Sequence, residues 1–179
     1  MDKLITDILA VSRISRMQLD LVPVNLKKLI FEVIDQYFSL QKPQADIQVD
    51  HVPFVLGHEP LLTQIISNLL INAVKFVNKG TIPHIRIYSE VAGETATVWF
   101  QDNGIGIKEP DQQKIFGLFE RTHVGNEFPG TGVGLTIVKK AVERLGGEIG
   151  LLSDGKNGSR FWIKLQSASL TEASGLSQG

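Results

Sequence analysis

Apolar and polar residues alternate along this chain at two different periods, which predicts strands and helices in a mixed order. Period-two alternation predicts strands at residues 46–52, 54–56, 84–91, 95–101, 148–152 and 160–165. Periodicity near 3.6 residues predicts helices at residues 1–18, 26–37, 60–77 and 134–145, and a short helix is expected within 109–119. These elements predict an α+β fold, a two-layer sandwich with helices on one face of a mixed sheet.

Short local signals set several boundaries. Pro23 closes a predicted linker, and Asn25 is a suitable N-cap for the helix that follows it. Pro60 fits the first turn of the next long helix, because its missing N–H has no partner there in any case. Gly146 and Gly147 end the last helix. A turn at residues 92–94 joins two of the strands in a predicted hairpin.

The predicted strand at 95–101 runs into a glycine-rich loop that ends at Ile107. One face of the strand carries Ala96, Val98 and Phe100, which are apolar, and Asp102 follows on the same face at its end. The other face carries Thr95, Thr97, Trp99 and Gln101. The apolar face is expected to be buried, so Asp102 points inward, where a carboxylate is costly without hydrogen-bond donors.

Gly104 and Gly106 follow this carboxylate and allow positive φ and a close approach of the backbone to a ligand. This sequence therefore predicts that Asp102 accepts a hydrogen bond from a flat polar ligand, for example from the amino group of adenine. A tight turn that only ends the strand is the alternative.

The predicted helix at 60–77 carries a polar stripe on an otherwise apolar surface. Gln64, Asn68, Asn72 and Lys75 follow one another at helical spacing. The stripe is either the solvated face of the helix or a face that contacts phosphates. An amide oxygen suits Mg²⁺, which takes few protein ligands beside water and phosphate oxygens, and a lysine supplies a point charge to a phosphate.

A third segment, Gly130-Thr-Gly-Val-Gly134, opens the last predicted helix. Glycines at a helix start leave backbone N–H groups and the positive end of the helix dipole free to bind an anion. The pattern alone is weak, because it has neither the strand-loop-helix context of a dinucleotide fold nor the Gly-Lys-Ser/Thr of a P-loop.

Taken in chain order, five segments resemble the N, G1, F, G2 and G3 boxes of sensor histidine kinases, within the GHKL ATPase superfamily. They are residues 68–76, 102–107, 115–119, 130–135 and 158–161. The resemblance covers roughly residues 25–166 and implies the Bergerat ATP-binding fold, with ATP held between the helices and a lid. The details look most like phytochrome-like histidine kinases, whose short lid also ends in an aromatic-Pro-Gly-Thr-Gly sequence, here Phe128-Pro-Gly-Thr-Gly132.

The resemblance also implies roles for individual residues. Asn72 is the expected magnesium ligand, Lys75 the phosphate lysine and Ser159 a neighbour of adenine. Arg121, on the predicted lid at 121–128, is an expected phosphate contact, with an exposed salt bridge as the alternative. The remaining expected nucleotide contacts are Asn68, Phe76, Asp102, Gly104, Gly106, Ile107, Phe119, Gly130, Thr131, Gly132, Val133, Gly134 and Leu135. Phe116 and Phe119 are also candidates for the core, and at least one of them is expected to anchor the base of the lid.

Asn68 departs from part of the superfamily. The ATP-hydrolysing members and the serine-kinase anti-sigma factors generally have Glu at this position, where it acts on the attacking water or hydroxyl. An amide cannot act as a general base at neutral pH, whereas an imidazole nucleophile needs no strong base. The resemblance therefore implies transfer of the γ-phosphoryl group of Mg-ATP to histidine, with Asn68, Asn72, Lys75 and Arg121 as the catalytic residues. A regulatory nucleotide-binding module and an ATPase or serine kinase are the alternatives.

The predicted helix at 1–18 has an apolar stripe of heptad-like spacing that needs a partner. The stripe consists of Met1, Leu4, Ile8 and Val11, supplemented by Ile5 and Leu9. The helix either packs on its own domain or, as the resemblance implies, is the end of the second helix of a dimerisation and phosphoacceptor hairpin. The expected division is residues 1–22 for that helix and linker, 23–166 for the catalytic domain, and 167–179 for a disordered tail.

The expected partners follow from the same resemblance. They are an upstream histidine-containing dimerisation domain, a second copy in a homodimer, and the receiver domain of a response regulator. His51, His58, His84 and His123 are the only histidines, and none begins a sequence of the His-Glu/Asp-Leu-Arg type. The chain is therefore expected to bind ATP without phosphorylating itself.

The amino-acid composition bears on the class of function and on the location of the protein. Eighteen Lys and Arg against nineteen Asp and Glu argue against a dominant nucleic-acid surface. The absence of cysteine excludes disulfides and thiolate metal sites and fits a cytoplasmic location. No apolar run approaches the roughly 20 residues of a membrane span, and no secretion signal is recognisable.

Overall fold

The computed structural model describes residues 2–41, 44–120 and 128–169. Its helices are α1 (Asp2–Arg16), α2 (Leu26–Gln41), α3 (Glu59–Lys75), α4 (Glu109–Gln112) and α5 (Gly134–Arg144). Its strands are β1 (Val22–Asn25), β2 (Asp46–Val49), β3 (Phe54–Gly57), β4 (His84–Ala92), β5 (Thr95–Asp102), β6 (Glu148–Leu152) and β7 (Arg160–Gln166).

The main sheet has five strands in the order β2-β4-β5-β7-β6. The β2–β4 pair is parallel and the other pairs are antiparallel, so the sheet is mixed. Its inner face is fully apolar at the centre, where Ile87, Val98 and Ile163 are 0% exposed. The helices cover this face, and the predicted α+β sandwich with a mixed sheet is confirmed.

Helix α3 lies at the centre of the helical layer. It contacts α2, α5 and the two strands β4 and β5. Its buried residues are Leu61, Leu62, Ile65, Ile66, Leu69, Leu70 and Ala73. Burial of one such aliphatic side chain contributes about 1.5–3 kcal/mol, so this helix is strongly held in its orientation. The position of its polar stripe is fixed as a result.

The predicted linker before Asn25 is in part a strand. β1 pairs antiparallel with β3, and Pro23 lies opposite Leu56 in this two-stranded sheet. Four residues with a central proline are too short to give a readable alternation, and a proline is tolerated at such an edge. The predicted cap is confirmed, because Asn25 Oδ1 accepts a hydrogen bond from the N–H of Lys28 at 3.0 Å.

The prediction of a disordered tail from residue 167 begins too early. The N–H of Ser167 donates to the carbonyl oxygen of Glu94 at 2.8 Å, and the N–H of Ala168 donates to that of Phe54 at 2.9 Å. These contacts are made by the backbone, so the small polar side chains gave no signal for them. Residues 170–179 lie outside the described residues.

Helix α1 packs against α5 of the same chain. Ile14 is only 2% exposed, and the guanidinium of Arg144 donates to the carbonyl oxygens of Ile14, at 3.0 Å, and Met17. Leu4 and Val11 also pack on the core, while Ile5, Ile8 and Leu9 are 54%, 41% and 48% exposed. The apolar stripe is therefore divided between a buried and an exposed face, and the assignment of α1 to a dimerisation hairpin stays a prediction.

Within the described ranges, the helices are all too short or too polar to span a membrane.

Candidate functional site

A cavity of about 290 Å³ opens between α3, the loop after β5 and the segment that leads into α5. Residues from six separate parts of the sequence line it. Those predicted from the sequence are Asn68, Asn72, Lys75, Phe76, Asp102, Gly106, Ile107, Gly130, Thr131, Gly132, Gly134, Leu135 and Ser159. The fold thus brings most of the predicted site residues to one concave surface.

Three of the other predicted residues lie outside the lining, and the fourth falls outside the described residues. Val133 is 0% exposed and belongs to the core behind the cavity. Gly104 lies beneath Asp102, outside the lining. Phe119 is 50% exposed, has a φ of 61° and does not line the cavity. Arg121 and the rest of the predicted lid up to residue 127 lie outside the described residues.

Phe116 and Phe119 differ in how their side chains pack, because the chain turns sharply after the short helix α4. The ring of Phe116 meets Phe161 edge-on, with 6.4 Å between the ring centroids, and packs against the core. The positive φ of Phe119 turns its side chain out of this packing. Of the two aromatic residues, Phe116 is therefore the one held by the core.

Asp102 occupies one end of the cavity. Its Oδ1 accepts hydrogen bonds from the N–H groups of Gly104, at 2.8 Å, and Ser159, at 3.1 Å. Burial raises the pKa of Asp102 from 3.8 to about 6, and these two hydrogen bonds partly oppose the increase. At neutral pH the group is thus mainly a carboxylate, and no hydrogen bond among the described residues uses its Oδ2.

The glycines around Asp102 are required by close backbone packing. A Cβ on Gly104 would lie 2.8 Å from Asp102 Oδ1 and still closer to the carbonyl oxygen of Phe76. That same oxygen accepts a hydrogen bond from the N–H of Ile105 at 2.9 Å, which ties the loop to the end of α3. Gly106 has a φ of 74° and lies against the backbone of Gly155. The loop is thereby pressed between α3 and the β6–β7 turn.

Ser153 and Gln112 hold the next residue of the loop, Ile107, on both sides of its backbone. Ser153 Oγ accepts from the N–H of Ile107 at 2.9 Å and donates to the carbonyl oxygen of Gly158 at 2.7 Å. Gln112 Nε2 donates to the carbonyl oxygen of Ile107 at 2.8 Å and to that of Ser153 at 2.9 Å. Sequence reasoning missed both residues, because nothing local in the sequence indicates a contact across the β6–β7 turn.

The polar stripe of α3 faces the other end of the cavity. Asn68, Asn72 and Lys75 line it, whereas Gln64 does not. Asn68 Nδ2 donates to the carbonyl oxygen of Gln64 at 2.8 Å, and Asn68 Oδ1 lies beside Gly134, where an added Cβ would be 3.0 Å away. The amide oxygen of Asn68 is therefore presented at the start of α5.

The glycine segment lies across from this stripe. A Cβ on Gly130 would collide with Lys75 Nζ, and Gly132 has a φ of 71°. The N-cap of α5 is Val133, whose side chain makes no capping hydrogen bond to the first helical N–H groups. A lysine and the start of a helix thus face each other across a narrow space, which is suitable for an anion.

Helix α1 adds two residues to the cavity that were not predicted, Lys3 and Asp7. Thr131 Oγ1 donates a hydrogen bond to Asp7 Oδ2 at 2.6 Å. The charged residues of the described lining are therefore two lysines, Lys3 and Lys75, and three carboxylates, Asp7, Asp102 and Glu120.

A divalent cation fits this site only together with a ligand that brings further oxygens. The described residues contain no group of three or more His, Cys, Asp or Glu that could hold a metal ion. Asn72 nevertheless lines the cavity beside Lys75. This donor set matches Mg²⁺ bound through phosphate oxygens and water with one protein amide oxygen, rather than a metal held by the protein alone.

Comparison with known proteins agrees with this geometry. Residues 57–169 match the family described as histidine kinase-, DNA gyrase B-, and HSP90-like ATPase. The chain belongs to this family. It is 32% identical over 170 residues to the phytochrome-like protein Cph1 of Synechocystis sp.. The aligned region covers 92% of this chain and 22% of Cph1. The predicted resemblance to histidine kinases of the phytochrome-like type is confirmed.

Two solved structures of histidine kinases share the fold. Full-length ShkA, in complex with AMPPNP, superimposes with a TM-score of 0.77 and 26% identity over 93% of this chain and 36% of that chain. The catalytic domain of histidine kinase ThkA has a TM-score of 0.68 and 27% identity, over 84% of this chain and 100% of that chain. The chain spans about a fifth of the length of Cph1.

Proposed function

We propose that this chain is the ATP-binding catalytic domain of a sensor histidine kinase, which transfers the γ-phosphoryl group of Mg-ATP to a histidine on a dimerisation domain. One observation carries the proposal: Asp102, most of the polar stripe of α3 and the glycines before α5 line a single cavity. AMPPNP is an ATP analogue, so the complex of ShkA supports ATP as the ligand of this fold.

The adenine end is Asp102 with its glycine loop. A carboxylate whose Oδ1 is held by two backbone N–H groups has a fixed orientation, so its Oδ2 is ready to accept from the exocyclic amino group of adenine. A guanine ring carries a carbonyl oxygen in place of this amino group and would meet the carboxylate with a second acceptor. The site is therefore expected to prefer adenine.

The phosphate end is the space between Lys75 and the glycine segment. Lys75 supplies a positive charge, and the N–H groups that precede α5 supply hydrogen-bond donors to phosphate oxygens. Asn72 would hold Mg²⁺ together with the phosphates, and the bound ion would supply further positive charge at this end of the cavity. Catalysis by these residues is positioning and charge stabilisation rather than proton transfer.

Asn68 favours histidine as the acceptor. It lies on α3 one turn before Asn72, and its amide cannot remove a proton from water or from a serine hydroxyl. In transfer to histidine, an imidazole nitrogen forms the new N–P bond while the bond from the γ-phosphorus to the bridging oxygen breaks, and ADP leaves. Arg121 remains a proposed phosphate contact of the lid.

The whole protein's partners are part of the same proposal. They are an upstream dimerisation domain, a second copy in a homodimer, and a response-regulator receiver domain, and the proposed location is the cytoplasm. A regulatory nucleotide-binding module and an ATPase or serine kinase are the competing functions.

Measurement of ADP release with and without a histidine-bearing hairpin separates a histidine kinase from its competitors. The proposal predicts slow release from the chain alone and faster release with the hairpin, accompanied by phosphorylation of the hairpin. Fast release without any acceptor would identify an ATPase. ATP binding with no release under either condition would contradict the proposal and leave a regulatory module or a serine kinase.

A further inference from the structure

Helix α1 brings a negative charge to the end of the cavity that receives the phosphates. Asp7 lines the cavity, and its Oδ2 accepts a hydrogen bond from the hydroxyl group of Thr131 at 2.6 Å. Thr131 belongs to the glycine segment that faces Lys75. A carboxylate at this place is unexpected in a site for an anionic ligand.

The position of Asp7 is fixed by packing at the other end of its helix. Ile14 of α1 is 2% exposed, and Arg144 of α5 donates to the carbonyl oxygens of Ile14 and Met17. The segment that contains Thr131 opens the same helix α5. Asp7 and Thr131 are therefore both anchored to α5, and Asp7 stays near the glycine segment as long as α1 is docked.

Asp7 opposes a bound phosphate in two ways. A hydroxyl has one proton to donate, so the Thr131 proton that is given to Asp7 is not available to a phosphate oxygen at the same time. The carboxylate also repels the phosphate charge, and this repulsion is strong in a partly buried site. Lys3, one helical turn earlier and also in the lining, is exposed, so solvent and salt screen its opposing charge.

On the basis of the function proposed above, we infer that Asp7 is a specificity-determining residue of the nucleotide site. Its charge disfavours each added phosphate and favours nucleotide that carries Mg²⁺ over nucleotide that is free of metal. A bound cation neutralises the phosphates and so relieves the repulsion, whereas a ligand without phosphates is not affected by it.

The test is calorimetric titration of the full chain and of Asp7→Asn with ATP, ADP and adenosine, each with Mg²⁺ and with chelator. The variant keeps an oxygen that can accept from Thr131 and removes the charge. ATP affinity in chelator is expected to rise about fivefold to tenfold, ADP affinity less, and adenosine affinity not at all. The gain is expected to shrink in Mg²⁺ and at high salt.

Asp35→Asn is the matched control, because it makes the same charge change at an exposed residue of α2. It is expected to leave all affinities unchanged. An equal change for adenosine and ATP in Asp7→Asn would mean an effect through the fold and would overturn the inference, as would an unchanged or lower ATP affinity. Failure of the unmodified chain to bind ATP at all would instead refute the proposed function.

Discussion

The carboxylate of Asp102 accepts a hydrogen bond from the backbone N–H of Ser159, which lies 57 positions later in the sequence, at 3.1 Å. The backbone pairs in the opposite direction as well, since the N–H of Asp102 donates to the carbonyl oxygen of Ser159 at 2.9 Å. Two glycine-containing segments that are distant in the sequence are thus joined at one carboxylate.

Replacement of Asp102 by Asn is expected to weaken ATP binding about tenfold or more, because loss of a charge-assisted hydrogen bond costs roughly 1.5–3 kcal/mol. The amide would also present its N–H₂ group to Gly104 and Ser159 or to the amino group of adenine. Calorimetric titration measures the effect, with circular dichroism as a check of the fold. An unchanged ATP affinity would remove Asp102 from the site.

The pH dependence of binding follows from the pKa of Asp102, which burial raises to about 6. Adenine binds the ionised form, so ATP affinity is expected to fall as the pH decreases through about 6, and binding at that pH releases a proton from Asp102. Calorimetry at one pH in buffers of different ionisation enthalpy measures this proton release. The variant Asp102→Asn should bind ATP without releasing this proton. Equal proton release by both proteins would contradict the assignment of Asp102 as the titrating group.

The same pKa predicts an effect on the stability of the ligand-free protein. Because the folded-state pKa is raised above 3.8, the folded protein binds the proton more tightly than the unfolded chain does. The free energy of unfolding is therefore expected to decrease as the pH rises from about 4 to 6, relative to that of Asp102→Asn. Urea unfolding of both proteins across this range is the measurement, and parallel stability curves would contradict it.

Removal of the proposed magnesium ligand tests the phosphate end separately. Asn72→Ala is expected to abolish phosphoryl transfer and the enhancement of ATP affinity by Mg²⁺, while metal-free binding changes little because adenine is recognised elsewhere. Titrations with and without Mg²⁺ measure this. A normal response of the variant to Mg²⁺ would refute the role of Asn72.

Ser153 is expected to act as a positioning residue through Ile107. Ser153→Ala leaves the partly buried N–H of Ile107 without its acceptor, which costs about 1 kcal/mol, and should lower the affinity for adenosine and ATP by the same factor. Ser153→Thr restores a hydroxyl and is expected to recover part of the affinity. Ser89→Ala is the matched control, since that hydroxyl donates to the carbonyl oxygen of His51. Unequal effects on adenosine and ATP would contradict a role at the adenine end.

The sequence predicted the parts of the site that depend on local periodicity. Alternation along β5 placed Ala96, Val98 and Phe100 on the buried face, as observed, and so carried Asp102 into the cavity. Helical spacing correctly placed Asn68, Asn72 and Lys75 on one side of α3. Gln64 shares this side but lies farther along the axis, beyond the cavity.

Contacts between elements that are distant in the sequence could not be predicted from local periodicity. Asp7 reaches the cavity only because α1 docks on α5, and a heptad-like stripe gives no information on which partner the helix takes. Ser153 and Gln112 meet at Ile107 only after β6, β7 and α4 have been assembled. Phe119 was predicted from its place in a motif, whereas the local backbone, with a φ of 61°, turns it outward.

The three histidines in the described residues, His51, His58 and His84, lie outside the cavity. His84 Nδ1 lies 3.0 Å from Asp46 Oδ2, and His58 is the N-cap residue of α3. His123 lies outside the described residues, on the predicted lid.

The most direct measurement of the central claim is incubation with γ-labelled ATP and Mg²⁺, first of this chain alone and then with a separately produced histidine-bearing dimerisation hairpin of this kinase family. We expect no stable label on this chain and an acid-labile label on the hairpin, lost in Asn72→Ala. Stable, acid-labile label on this chain alone, or release of labelled phosphate to water while the hairpin stays unlabelled, would contradict the account.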